Sequence, residues 1–386
     1  MTDLSDRESP TRGSRTASGS ATWVIFFSAT PWHGGAHRQH ALARQLATSY
    51  RVIFVDPPGL RIRTGTSIRR VEHHIWHAEL PTAAPLGRHL PAANAINRRV
   101  TVAVLRRWLH RDPAGVSLIW LDEDLAAACA SRIDAAAVVY DVTDLDWTFT
   151  RRWNRRHLRR NLDRAVSAAD LVLASSAALP ARMPAGRQTP VVLPNACDPE
   201  HFTPQGPTVS RPVEPGRPLI GYSGTIDTRA FDGELVAEVA RNRPDWTFLL
   251  IGPSTRAGRK PLAGLTNVLV TGPVPYAELP ATLRVCDVTI IPYRLGGLVD
   301  YVHPKKCYEY LALGKPVVAT PLPALTGLTG VVRLAARAED FTAAITATLT
   351  ETTDPEQAAH RRAVATANSW SVRGEHLHRL VAGLLR

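Results

Sequence analysis

The chain has 386 residues, room for two domains of ordinary size, and is 45% hydrophobic and 21% charged, as a folded globular protein is. No apolar run approaches the length that crosses a bilayer, and residues 1–20 lack the apolar core of a signal peptide. The formal charge is +12, and residues 61–111 hold ten Arg against only Glu72 and Glu79. Such a patch suits an anionic partner (a lipid surface, nucleic acid or a phosphorylated substrate), or else is a solvated basic face.

Residues 1–20 are polar and rich in Ser, Thr and Gly, which predicts a disordered tail. Residues 22–29 (TWVIFFSA) form an apolar, β-rich run, hence a buried strand, followed by the Gly-containing loop TPWHGGAH. Ala41, Leu42, Gln45, Leu46 and Ser49 then recur at helical spacing, and RVIFVDPP (51–58) reads as a second strand closed by two prolines. This β-loop-α-β unit implies parallel strands. VSLIWLD (116–122), AVVYDV (137–142), DLVLASS (170–176) and PVVLPN (190–195) read as further strands of one sheet. Two helices carry basic outer faces. In 97–111, Arg98 and Arg99 share a side with Arg106 and Arg107; in 151–170, Arg151, Arg152, Arg155, Arg156, Arg159 and Arg160 oppose the apolar stripe Leu158, Leu162, Ala165, Val166 and Ala169. Either can dock on a lipid surface or remain solvated. His73, His74 and His77 lack the spacing of a metal site, which places them on an exposed strand or loop.

The Pro-rich stretch 199–217 predicts a linker, after which the α/β pattern restarts. PLIGYSG, WTFLLIGP, NVLVTGPV, CDVTIIPY and PVVATP read as strands, and GELVAEVARN as a helix ending before Pro244. The fold class is therefore α/β, with two doubly wound parallel-sheet domains. The expected division is a tail at 1–20, a first domain at 21–198, a linker at 199–217, a second domain at 218–366 and a C-terminal amphipathic helix at 367–386. Cys129, Cys197, Cys286 and Cys307 form no CxxC pair and sit in apolar stretches, so they read as buried thiols.

The most informative segment is PKKCYEYLALGKPVV, residues 304–318. Pro304 is a natural first helical residue, with Gly314 and Pro316 at the far end. Lys305 and Lys306 in the first turn oppose the helix dipole, an arrangement relieved when an anion arrives at the free N–H groups. Only four residues of the chain are Lys, and three of these, Lys305, Lys306 and Lys315, fall within eleven positions. Glu309 lies on the same face as the lysines, where a carboxylate can accept bonds from two ribose hydroxyls or simply pair with a lysine.

This segment resembles the nucleotide-sugar signature of the retaining, GT-B-fold group 1 (family four type) glycosyltransferases, nearest the bacterial enzymes of teichuronic acid and other cell-surface polysaccharides. GYSGTIDTRAFDGELV, VVLPNACDPEHF and TGPVPYAELP are similar to other landmarks of that family. The resemblance implies two Rossmann-like domains facing a cleft, a last helix that crosses back to the first domain, and metal-independent transfer with retained configuration. It puts the ribose on Glu309 and the diphosphate against Ser223, Gly224, Arg229, Lys305 and Lys306. The base falls near Gly252 and Val274, and Gly34 and Gly35 approach the donor or acceptor. The family's first signature Glu would fall on Tyr301, with Asp300 adjacent as a substitute. At the strand end 138–149, Asp141 and Asp144 stand where relatives present catalytic or acceptor-contacting groups, the plainer role being helix capping. The implied partners are a nucleoside-diphosphate sugar and a glycan or polyprenyl-linked acceptor, with no cofactor or metal, in the cytoplasm or peripherally on the inner face of the plasma membrane. A nucleotide-sugar epimerase or phosphorylase uses the same frame. A nucleic-acid-binding role is disfavoured by the lack of any RRM, KH, helix-turn-helix or zinc-finger pattern.

Overall fold

A computed structural model describes residues 22–33, 36–143, 152–352 and 354–386. The expected tail at 1–20 and the calls on Gly34, Gly35 and Asp144 lie outside them.

The first domain is built from β1 (Trp23–Phe27), α1 (Arg38–Leu46), β2 (Arg51–Val55), β3 (Ser67–Glu72), β4 (Ile75–Glu79), α2 (Pro91–Leu109), β5 (Val116–Leu121), α3 (Ala127–Ala130), β6 (Ala137–Val142), α4 (Arg152–Ala168), β7 (Leu171–Ala174) and β8 (Val191–Val192). The sheet runs β3-β4-β2-β1-β5-β6-β7-β8, parallel except for β3. All five residues of β1 are buried because both faces of a parallel sheet are covered, so the strand is apolar throughout rather than alternating. Sequence reading missed the β3–β4 hairpin, whose polar edge strand lacks a continuous apolar run. That hairpin corrects the histidine expectation. His73 is exposed and His74 sits in the turn at φ +59°, but His77 is fully buried on β4. The face of α1 also differs. Arg38, Gln39, His40, Leu42, Ala43 and Leu46 are buried, whereas Ala41 and Gln45 are half-buried and Ser49 is exposed.

The second domain comprises β9 (Leu219–Ser223), α5 (Gly233–Asn242), β10 (Thr247–Ile251), α6 (Arg256–Arg259), β11 (Val268–Gly272), α7 (Leu279–Arg284), β12 (Val288–Ile291), α8 (Lys305–Ala312), β13 (Val317–Ala319), β14 (Val332–Leu334), α9 (Ala338–Leu349) and α10 (Pro355–Ala367). Its strands are all parallel in the order β11-β10-β9-β12-β13-β14, so the order reverses beside β9, where ligands of doubly wound sheets bind. Phe202 and Cys197, upstream of β9, pack into this domain's core.

The last helix, α11 (Trp370–Leu384), starts at the N-cap Ser369, whose side chain accepts from the Val372 N–H. Its Leu377 and Val381 are fully buried in the core that covers one face of the first domain's sheet. His378 Nε2 lies 2.9 Å from the Gln45 carbonyl, and a Cβ on Gly374 would meet Gln45 Oε1 at 2.0 Å. The C-terminal helix thus crosses from the second domain back onto α1. All four cysteines are buried free thiols. Among the described residues, no helix is long and apolar enough to cross a membrane.

Candidate functional site

The site forms where the C-terminal ends of β9, β10 and β12 and the start of α8 face the loop after β1. Pro304 is the N-cap of α8 rather than its first helical residue, so Lys305 and Lys306 open the helix. Lys305 joins the two domains. Its Nζ donates to the Ala36 carbonyl at 2.6 Å, lies 3.0 Å from Glu309 Oε1 and sits 5.1 Å from the centre of the Tyr276 ring. Glu309 is only 3% exposed, so its charge is balanced by this lysine in the unliganded protein.

Lys306 takes a different position. Its Nζ lies over the rings of Tyr222 and Tyr293, at 4.3 and 4.9 Å, and donates to the Tyr222 hydroxyl at 3.3 Å. Gly224, at φ +147°, makes room for it: a Cβ there would stand 2.2 Å from Nζ. Gly252, at φ +139°, serves the neighbouring loop, since its Cβ would stand 2.2 Å from the Gly224 carbonyl oxygen. Ser223 is pinned by the Tyr310 hydroxyl, which accepts from its N–H at 2.7 Å. Glycines and aromatic residues thus set a cation at the mouth of the strand ends, a position suited to an anion.

Some expected residues stand apart. Arg229 is 71% exposed, paired with Asp227 at 2.8 Å, so its guanidinium lies at the rim. Val274 is half-buried beyond β11, two residues before Tyr276. Asp300 is half-buried in the single turn at 297–301. Tyr301, standing where a signature Glu was expected, is an interdomain contact. Its hydroxyl accepts from Arg182 Nε at 2.5 Å, and its carbonyl accepts from the Ser176 hydroxyl at 2.6 Å.

Asp141, expected as a catalytic or acceptor-contacting group, is engaged by a cation. It is fully buried and held by Arg38 in a two-pronged pair, both contacts at 2.8 Å; Arg38 is itself 4% exposed. A carboxylate so engaged is a structural counter-ion rather than a free base. Its neighbour Asp122 was missed by sequence reading. Asp122 Oδ2 accepts the Ala29 N–H at 2.8 Å, and burial, then the nearby Asp141, push its pKa up to about 8. His37, exposed at the surface, stands next to the Lys305–Glu309 pair, and desolvation by its neighbours, then Lys305, hold its pKa below the usual value. His303 brings the domains together: its carbonyl accepts from Asn195 Nδ2 at 2.7 Å, and its ring stacks on Tyr308. Burial, then Arg373, lower its pKa to about 4, so the ring is neutral near pH 7.

A cavity of about 500 Å³ opens beside Lys305 between α1 and the start of α11, with Ala36, His37, Arg44, Asp198, Tyr276 and Trp370 in its wall. That volume suits a small-molecule ligand. Asp56, His77 and Glu79 at the ends of β2 and β4 are the one group among the described residues that could hold a metal, their ligand atoms lying within 4.8 Å. His77 Nε2 is 2.9 Å from Asp56 Oδ2, and Arg63 reaches Glu79 at 3.3 Å.

Two facing Rossmann-like domains with a cationic helix start in the cleft define a GT-B architecture. Residues 217–351, in the second domain, match the family "Glycosyl transferases group 1". Over 203 residues the chain is 32% identical to TuaH of Bacillus subtilis, provisionally named a teichuronic acid biosynthesis glycosyltransferase. That match spans 48% of this chain and 51% of the relative, about half the length of each. The fold is shared with sucrose-phosphate synthase from Thermosynechococcus elongatus (TM-score 0.70, 16% identity, 94% of this chain and 99% of that one). It is shared equally with Anabaena HepE, solved in complex with UDP (TM-score 0.64, 15% identity, 94% and 100%).

Proposed function

We propose that the chain is a glycosyltransferase that takes a nucleoside-diphosphate sugar in the interdomain cleft and passes the sugar to a glycan or polyprenyl-linked acceptor in cell-envelope polysaccharide synthesis. The observation that carries this reading is Glu309, buried one turn into α8 and bridged through Lys305 to the β1–α1 loop of the opposite domain. When donor enters, the ribose hydroxyls replace the Lys305 ammonium on Glu309, and the freed lysine turns to the diphosphate. Lys306, Arg229 and the N–H groups at the start of α8 complete the charge around the leaving group. These cations make the departure of the diphosphate metal-independent, and the transfer retains configuration. Turnover that survives chelation of divalent ions, and NMR of the product anomer, test those two points. The work is done in the cytoplasm, at the inner face of the plasma membrane.

Glu309→Ala is expected to weaken binding of a nucleoside diphosphate by about 3 kcal/mol, roughly a hundredfold, because two hydroxyl-to-carboxylate bonds are lost. Calorimetry with UDP and GDP reads this directly. Wild-type affinity in the variant would overturn the ribose assignment.

A further inference from the structure

The structure assigns a membrane-docking surface to one edge of the first domain, where Leu60, Ile62, Leu86, Leu90 and Ile96 enter an anionic bilayer and Arg61, Arg88, Arg99 and Arg106 engage its headgroups. This gives the proposed membrane location a physical surface, and it is read without any turnover. Eight large hydrophobic side chains are exposed among the described residues, and five of them fall between 60 and 96, from Leu60 at 79% to Ile96 at 44%. Backbone contacts gather them. Arg63 pairs with Thr82 in an isolated bridge beside Leu60 and Ile62, and the Gly59 N–H donates to Thr82 Oγ1 at 2.9 Å. Two residues on, Asn97 of α2 both accepts from the Ala84 N–H and donates to its carbonyl, which sets 84–90 against the turn carrying Ile96.

The charge at the surface around these side chains is predominantly basic, with Arg88 also reaching the buried Glu123 at 4.0 Å. Arg61 lies between Leu60 and Ile62, Arg88 between Leu86 and Leu90, and Arg99 three residues beyond Ile96 on the exposed stripe of α2, with Arg106 two turns further along. Between residues 57 and 111 the only acids are Glu72 and Glu79, and each is already paired, with Arg44 and with Arg63. Apolar side chains interleaved with arginines suit an interface of acyl chains and anionic headgroups. A nucleic acid would meet the arginines but leave the leucines and isoleucines in water, and no aromatic is among the exposed large hydrophobics to stack a base. Leu86 adds an independent observation: its φ of +62° is a conformation that a branched L residue rarely adopts. A Gly would relieve that strain, yet an exposed Leu stands there. The surface differs from the one read from sequence, since Arg98 is 2% exposed and paired with Glu123 at 3.1 Å.

The test is co-sedimentation with vesicles of phosphatidylcholine alone and of phosphatidylcholine with about 30% phosphatidylglycerol. The wild-type protein is expected to partition onto the anionic vesicles only. Leu60→Ser with Ile62→Ser is expected to lower partition roughly tenfold or more. Leu86→Gly should lower it while leaving the melting temperature equal or higher, a combination that a merely structural leucine would not give. Arg61→Gln with Arg99→Gln and Arg106→Gln should abolish the preference for anionic lipid, whereas the same charge removal at Arg241, Arg256 and Arg259 of the second domain should leave it unchanged. UDP binding measured without vesicles should persist in all of these variants, which separates failure of this surface from failure of the donor site. Equal partition of wild type and the apolar variants, loss of partition in the second-domain control, or tighter binding to duplex DNA than to vesicles would each overturn the assignment.

Discussion

The two domains share one architecture and treat charge in opposite ways. At the strand ends of the first domain, charged side chains are buried and matched: Asp141 with Arg38, and Glu123 with Arg98, every partner at most 5% exposed. At the strand ends of the second, cations stand toward the cleft, with Lys306 over two tyrosine rings, Lys305 27% exposed and Arg229 71% exposed. Buried matched pairs are shut off from ligands, whereas Lys305 and Arg229, though paired with Glu309 and Asp227, stay partly open, and Lys306 rests on tyrosine rings, so an incoming anion can reach them. The proposed donor site thus rests mainly on the second domain, to which the first contributes, through Ala36, a contact.

The sharpest way to break this contrast is to unpair Arg38 and Asp141. Asp141→Asn leaves the Arg38 charge buried without its counter-ion and should cost about 3–5 kcal/mol of stability by chemical denaturation, with nucleotide affinity of the folded fraction unchanged. If instead the variant kept its stability and lost turnover, Asp141 would be catalytic and the contrast would fall. Glu309→Ala is the converse, a loss in binding of roughly a hundredfold with little change in stability. Gly252→Ala comes next: its φ of +139° and the 2.2 Å approach to the Gly224 carbonyl oxygen leave no place for a methyl group. We expect about 2–3 kcal/mol of lost stability together with weaker nucleotide binding, since the shifted Gly224 turn carries Lys306 with it.

A further difference lies in pH. His303 is held near pKa 4, below its unfolded value, so its contribution to stability is present above about pH 6.5 and is lost as pH falls toward 4. Asp122 is raised to about 8, so the folded state keeps a proton that the unfolded chain releases, and its contribution falls as pH rises from about 4 to 8. Thermal unfolding across pH 4–8 should therefore show a shallower acid limb in His303→Gln and a shallower decline above pH 6.5 in Asp122→Asn. Parallel curves for variants and wild type would remove both assignments.

Sequence alone determined the alternation of buried strands and helices in both halves, because a strand covered on both faces must be apolar along its whole length and is conspicuous for it. It also marked the start of α8, where two lysines against the helix dipole form a local conflict that only an anion resolves. The edge hairpin β3–β4 was not legible, since its polar residues carry no period that distinguishes a strand from a loop. Nor were the partners of the acids. Asp141 reads as a free strand-end carboxylate until α1 folds over it from 103 residues away, and Tyr301 reads as a lost glutamate until Arg182 takes its hydroxyl. Such pairings are long-range, so composition and spacing carry no trace of them. The sequence placed the charges, and the tertiary structure decided which are already satisfied and which still wait for a ligand.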